Sequence, residues 1–252
     1  MTPVILAGLL VAAPLDLPEA RRAVERAFTA EVAGDFEGAE AALQALLEPV
    51  GGAEQTPGPQ LVRAYLREMA QRRALTEPGT VEGWRRAHLT LRRRPALWRA
   101  MYWGALVSVL PQAERSLAEL TVRTRLLKAE GADFTAFARK VQRTLSTEGV
   151  RFVADGAAVD LAIELDGSSV EPVRHRHEAT FEGSYLIEDR ATGRILARSR
   201  DLDRSSIRAT AEAARSRSLR SLREVLEEDA LFDLRQIALE RLTSPRSESA
   251  RP

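Results

Sequence analysis

Residues 157–166 read AAVDLAIELD. Within them Val159, Leu161, Ile163 and Leu165 alternate with Ala158, Asp160, Ala162 and Glu164. An apolar period of two sustained over such a run marks a strand with one buried face. Working outward, VRFVADG (150–156) gives a short strand and a turn, and Phe134, Phe137, Val141 and Leu145 before it recur at helical spacing. Gly149 ends that helix. Downstream, Gly167-Ser168-Ser169 is expected to break the chain, and His177 to Glu188 places Ala179, Phe181, Tyr185 and Ile187 on one strand face. DRATG (189–193) then turns into RILARSRDL (194–202) as a hairpin. Ser205 or Ser206 is expected to cap a long helix with Ile207, Ala211, Ala214, Leu219, Leu222 and Leu226 on one stripe, kinked near Asp229 and running to Leu242. The order α-β-β-β-β-α predicts a two-layer α/β sandwich over residues 132–242, a four-stranded mainly antiparallel sheet with two helices on one face. Its other face and its edges would be free to meet a partner.

Residues 17–131 read as a helical domain, so the fold class is α+β. Pro18 suits the first turn of a helix reaching Val32. GDFEGAEAALQALLEP (34–49) continues with small residues at Ala39, and at Ala23 and Ala27 on the preceding helix, where two helices approach closely. Residues 20–49 resemble a single tetratricopeptide unit, with Ala39, Leu43, Leu46 and Leu47 as its apolar seam. No second copy follows, and one unit cannot bury its own face, so the segment reads as a repeat-like hairpin at the start of a helical bundle. GGAEQTPGPQ (51–60) is a loop; helices are expected from Pro59 to Leu75 and from Thr80 to Arg94. PALWRAMYWGALVSVLP (95–111) is apolar but shorter than the roughly 20 residues a bilayer span needs, and reads as a central buried helix. Pro111 opens a further expected helix to Lys128, with Leu117, Leu120 and Leu127 inward. Residues 243–252 are a polar tail.

The apolar run Val4–Ala13 in MTPVILAGLLVAA fits the hydrophobic region of a secretory signal within residues 1–16. The alternative is a buried first helix of a cytoplasmic protein. No basic residue precedes the run and Pro14 follows it, and both count against cleavage.

The 252 residues carry 37 Lys+Arg against 36 Asp+Glu, a net charge of +1, which exerts no global pull on nucleic acid or acidic lipid. Hydrophobic residues at 44% exclude a disordered chain. The absence of cysteine excludes disulfides, thiolate nucleophiles, iron–sulfur clusters and cysteine–zinc sites, and a lipid-anchored mature form is not expected. Charge is unevenly placed: residues 16–60 carry a net −6 and residues 63–99 a net +7, the latter from ten arginines. Arg92, Arg93 and Arg94, with Trp98, Trp103 and Tyr185, are the candidate partner-binding residues. An arginine patch with aromatic platforms also fits phosphate recognition.

Catalytic candidates are weak. His175 and His177 stand two apart on an expected strand, but Arg174 and Arg176 would repel a metal. His88, on an arginine-rich helix, is expected to be solvated. Glu164, Asp166 and Glu171 lie near an expected turn with nothing apolar to raise a pKa. No phosphate loop and no nucleophile elbow are present. No catalytic, cofactor or metal residue is assigned.

The segments GVRFV, AVDLAIEL and YLIEDRATGRILARS, across residues 133–228, resemble small periplasmic α/β domains of bacterial envelope proteins. These are the curli-secretion and penicillin-binding-protein-activator group and the amino-terminal domain of the Tol–Pal translocation protein. The resemblance rests on Asp160-Leu161, Asp189 and Thr192-Gly193, and it implies assembly or transport in the envelope through protein contacts. The expected function is a non-enzymatic scaffold with protein partners in the periplasm. The alternative is a cytoplasmic nucleic-acid-associated protein using residues 63–99.

Overall fold

A computed structural model describes residues 15–48, 56–75, 79–128 and 132–243. The expected leader, the loop after residue 48 and the tail from 244 lie outside the described residues. The chain divides into a helical unit, residues through 91 together with 97–109, and a sheet unit, residues 92–96 together with 110 onward.

The helical unit holds α1 (Leu17–Ala33), α2 (Phe36–Leu47), α3 (Pro57–Leu75), α4 (Val81–Thr90) and α5 (Ala96–Val109). Caps set the helix starts: the Asp16, Asp35 and Thr80 side chains accept from the amides of Glu19, Gly38 and Gly83 at 2.6, 2.9 and 2.9 Å. Between α1 and α2 the chain reverses at Gly34, whose φ of 91° is open to glycine without strain, and the Asp35 amide bonds back to the Ala30 carbonyl. The core is aromatic. Phe28 meets Tyr65, Tyr102 and Trp98 edge-on, at centroid distances of 4.7, 5.7 and 6.3 Å.

Beside these rings lies an ion pair shielded from water. Arg72 Nε and Nη2 donate to Glu31 Oε1 and Oε2 at 2.6 and 2.8 Å, and the Tyr65 hydroxyl donates to Glu31 Oε2 at 2.8 Å. Arg72 is 1% exposed and Glu31 3%. The guanidinium also stands 5.2 Å from the Phe28 ring centre and 5.3 Å from that of Tyr65. Burial and then the Glu31 charge push the Tyr65 hydroxyl far above its ordinary pKa, so it stays a donor. His88, expected in solvent, is fully buried against the rings of Trp103 and Tyr102.

The sheet unit contains α6 (Pro111–Glu119), β1 (Thr121–Lys128), α7 (Ala132–Thr147), β2 (Arg151–Phe152), β3 (Val159–Val173), β4 (Arg176–Asp189), β5 (Ile195–Arg198), β6 (Leu202–Arg208) and α8 (Ala211–Thr243). The sheet is six-stranded, not four-stranded, and it is mixed, with the pairs β3–β4, β4–β5 and β4–β6 antiparallel. Its order is β2-β1-β3-β4-β5, with β6 also pairing β4, and β1 runs parallel to both β2 and β3. Of the two extra strands, β6 takes residues expected in the long helix, and β1 replaces the end of the helix expected from Pro111 to Lys128. After Glu119, Val122, Thr124 and Leu126 alternate with Arg123 and Arg125, and β-branched residues favour the pleat.

Two further expectations are corrected. Gly167-Ser168-Ser169 does not break the chain; the register slips by one residue between Asp166 and Ser168, and β3 continues to Val173. The reversal comes at Arg174, with φ of 57°, and His175, so His175 sits in a turn while His177 pairs with Pro172. Ser205 and Ser206 belong to β6. The long helix starts at Ala211, where the Thr210 hydroxyl accepts from the Ala213 amide at 3.2 Å.

The expected strand face does form. Leu161, Ile163 and Leu165 stand opposite Ile187, Tyr185 and Gly183, and together with Val159 and Phe181 they are buried under the helices. α8 lies close to the sheet: a Cβ on Gly183 would meet Leu165 Cδ2 at 3.0 Å, the Glu164 carbonyl oxygen at 3.1 Å and Leu222 Cδ2 at 3.3 Å. Small residues allow the same approach farther along, where the buried Ser218 hydroxyl donates to the Arg204 carbonyl of β6. The DRATG turn closes on Asp189, whose carboxylate accepts from the Thr192 amide and hydroxyl, both at 2.8 Å.

On the opposite sheet face Asp160 is held by arginines. Arg123 grips it with two bonds of 2.9 and 2.7 Å, Arg125 adds one of 3.2 Å, and Arg190 stands at 3.7 Å. Burial raises the Asp160 pKa, but the bonds from Arg123 and Arg125 outweigh it and hold the carboxyl below its ordinary range. The sign follows. The cluster stabilises the sheet unit at any pH above about 4, where an unfolded aspartate is ionised, and its contribution fades as pH falls through the lower folded value. Asp160→Asn is therefore expected to destabilise at pH 7 and to match the wild type once acid has neutralised Asp160. Urea unfolding at a series of pH values checks this, and a deficit that persists unchanged in acid would contradict it.

Candidate functional site: a cationic cleft between α7 and α8

The helical spacing that places Phe137 and Val141 on the sheet also carries Lys140 and Arg143 up one side of α7. On α8 the same logic buries Ala214, Leu222 and Leu226 and leaves Arg215, Arg220 and Arg223 on the facing side. Between the helices a cavity of about 590 Å³ opens above Phe181 of β4, with Phe137, Phe181 and Leu219 beneath and Lys140, Arg215 and Arg220 around it. A second hollow of about 470 Å³ shares Lys140, Arg220 and Arg223 and adds Arg143. Together the two hollows form one trough lined by five cations, against the carboxylates Glu212 and Glu224.

The trough's deepest charge is partly offset. Arg223 Nε lies 3.2 Å from Glu227, a glutamate only 7% exposed. Burial lifts the Glu227 pKa above its ordinary value, while the Arg223 charge pulls the other way. Lys140, Arg143, Arg215 and Arg220 are exposed. Such a surface can hold an anion by converging charge and an apolar body by its floor. Among the described residues no group of three or more His, Asp or Glu stands ready to hold a metal ion. Nor is any described helix long and apolar enough to cross a membrane.

The residues singled out from the sequence lie elsewhere. Trp98 and Trp103 are core residues of the helical unit, 5% and 6% exposed, and so offer no contact surface. Tyr185 is 2% exposed, with its hydroxyl donating to Asp233 Oδ2 at 2.9 Å. Arg92 reaches the same oxygen at 3.0 Å, so these two candidates meet at a buried carboxylate. Arg93 is exposed and Arg94 half-buried. In the sequence the cleft cations are sparse beside the dense run of arginine at 63–99. The available signal was sparser: Lys140 with Arg143, and Arg220 with Arg223, each three apart on an amphipathic helix.

No family model matches the chain, and no curated protein does. Solved structures give matches of low identity. A minor lipoprotein of Acinetobacter baumannii is similar at 18% identity over 48% of this chain and 94% of its own, with a TM-score of 0.33. A Xanthomonas campestris protein matches at 13% over 49% of this chain and 87% of its own, with a TM-score of 0.35. A lipoprotein of Neisseria meningitidis matches at 10% over 42% of this chain and 93% of its own, with a TM-score of 0.32. Two of these three are bacterial lipoproteins by name.

Proposed function

We propose that this chain is a non-enzymatic binding protein of the bacterial cell envelope, exported and acting in assembly or transport. It holds an acidic segment of a protein partner in the cleft between α7 and α8. The observation that carries the reading is the convergence of five cations from two helices over an apolar floor. Export draws on the apolar run Val4–Ala13.

The rival nucleic-acid surface at 63–99 loses much of its charge to internal partners. Arg72, Arg73, Arg85, Arg86 and Arg92 make ion pairs with Glu31, Glu37, Glu82, Glu82 and Asp233. Arg85 and Arg86 hold Glu82 so well that its pKa falls to about 2.

The test is titration of a labelled glutamate-rich peptide by fluorescence anisotropy, with single-stranded DNA as the comparison. Binding to the peptide should weaken with salt, and the paired variant Arg215→Glu with Arg220→Glu should lose it by at least about a hundredfold, as reversal of close interfacial charges does. Equal binding by that variant would refute the cleft. Tighter binding of DNA, lost on reversing Arg92, Arg93 and Arg94, would favour the rival.

A further inference from the structure

Resting on that reading of the cleft, we infer that the acidic segment it takes is α2 of a second copy of this chain. The two surfaces complement each other in charge, length and relief. α2, FEGAEAALQALL, contains no basic residue. It buries Phe36, Ala39 and Leu43 and turns Glu37, Ala41, Ala45 and, just past its end, Glu48 to solvent, with Glu40 half-buried between them. The exposed side is thus small-residue surface edged by carboxylates. Alanines let a helix settle deep between two others, and the glutamates then reach cations on both walls.

The lengths agree as well. Twelve residues of α2 span about 18 Å, and the trough, followed along α8 from Ala211 to Glu224, spans about 20 Å at the same rise per residue. The carboxylates of α2 make exposed contacts within their own unit, and in the trough Arg223 is offset by Glu227 while Lys140, Arg143, Arg215 and Arg220 are exposed. Glu37 makes one exposed contact of 3.3 Å with Arg73, and Glu40 accepts from Gln44 at 3.1 Å. The whole chain carries a net charge of +1, so copies approach without mutual repulsion while each presents one acidic helix and one basic trough. The contact joins two different surfaces: made reciprocally by two copies, it closes a two-fold dimer. Passed on from copy to copy instead, it builds a closed ring or an open chain.

Charge exchange tests this on the full chain. In sedimentation velocity at low salt the wild type should associate as concentration rises. The association should weaken by roughly tenfold when salt goes from about 50 to about 300 mM. Arg215→Glu with Arg220→Glu should leave the protein monomeric, as should Glu37→Arg with Glu40→Arg. Each variant's circular dichroism verifies its fold. Mixing the two variants should restore association, because the reversed trough of one now accepts the reversed helix of the other. A wild type that stays monomeric at low salt, or a mixture that does not associate, overturns the inference. Should the glutamate-rich peptide still bind the trough in that case, the cleft serves a different acidic partner and only self-docking fails.

Discussion

Replacing Arg72 with methionine is expected to destabilise the helical unit by about 3–5 kcal/mol, the cost of breaking a buried ion pair from one side. Methionine supplies nearly the volume of the arginine stem but no charge. Glu31 would then keep its carboxylate at 3% exposure with the Tyr65 hydroxyl as the one partner of its former pair of neighbours. Removing both charges should cost far less. Glu31→Gln with Arg72→Met retains an amide oxygen to accept from Tyr65, and exchanging a buried pair for neutral groups is often close to neutral. Urea unfolding of the two single variants and the double variant measures the coupling. A loss below about 1 kcal/mol for Arg72→Met, the range of exposed pairs, would mean the pair is solvated.

The second large effect is expected where α8 crosses the sheet. Leu222 is fully buried over Gly183, and truncating it to alanine should cost about 2–5 kcal/mol through lost burial and the void left behind. Gly183→Val should cost about 1–3 kcal/mol for the opposite reason, since its branches enter space already held by Leu165 and Leu222. Combined, the changes should compensate in part, the valine filling some of the space the leucine vacated while its contacts with Leu165 and the Glu164 carbonyl remain. A double variant whose loss equals the sum of the two single losses would show that α8 does not press on the sheet there.

These two sites mark where the sequence was readable and where it was not. The strand at Val159–Leu165 and the strand through Tyr185 were legible because one face meets helices and the other does not, which writes a period of two into the residues. The Asp189 turn was legible because its signal is local. β1 was missed because Leu117, Leu120 and Leu127 happen to fall at helical spacing, masking the shorter alternation of Val122, Thr124 and Leu126. The continuation of β3 past Gly167 was hidden because a bulge and a chain break use the same small residues. His88 carries no local mark of burial; the rings of Tyr102 and Trp103 that enclose it come from another helix. The Glu31–Arg72 pair and the cleft are tertiary in the same sense, since each joins residues from helices far apart in the chain. Charge density along the chain pointed to 63–99, where Arg72, Arg73, Arg85, Arg86 and Arg92 pair with carboxylates, whereas the trough cations come from two helices and form no dense run in the sequence.

Lys140 allows the most direct test of the cleft, because Lys128 is the only other lysine in the chain. Carbodiimide coupling to a bound glutamate-rich peptide, read by mass spectrometry, should yield an amide cross-link at Lys140 that disappears in high salt and in the Arg215→Glu, Arg220→Glu variant. Coupling confined to Lys128 or the terminal amine, or coupling at Lys140 that neither salt nor charge reversal diminishes, would show that acidic chains are not held between α7 and α8.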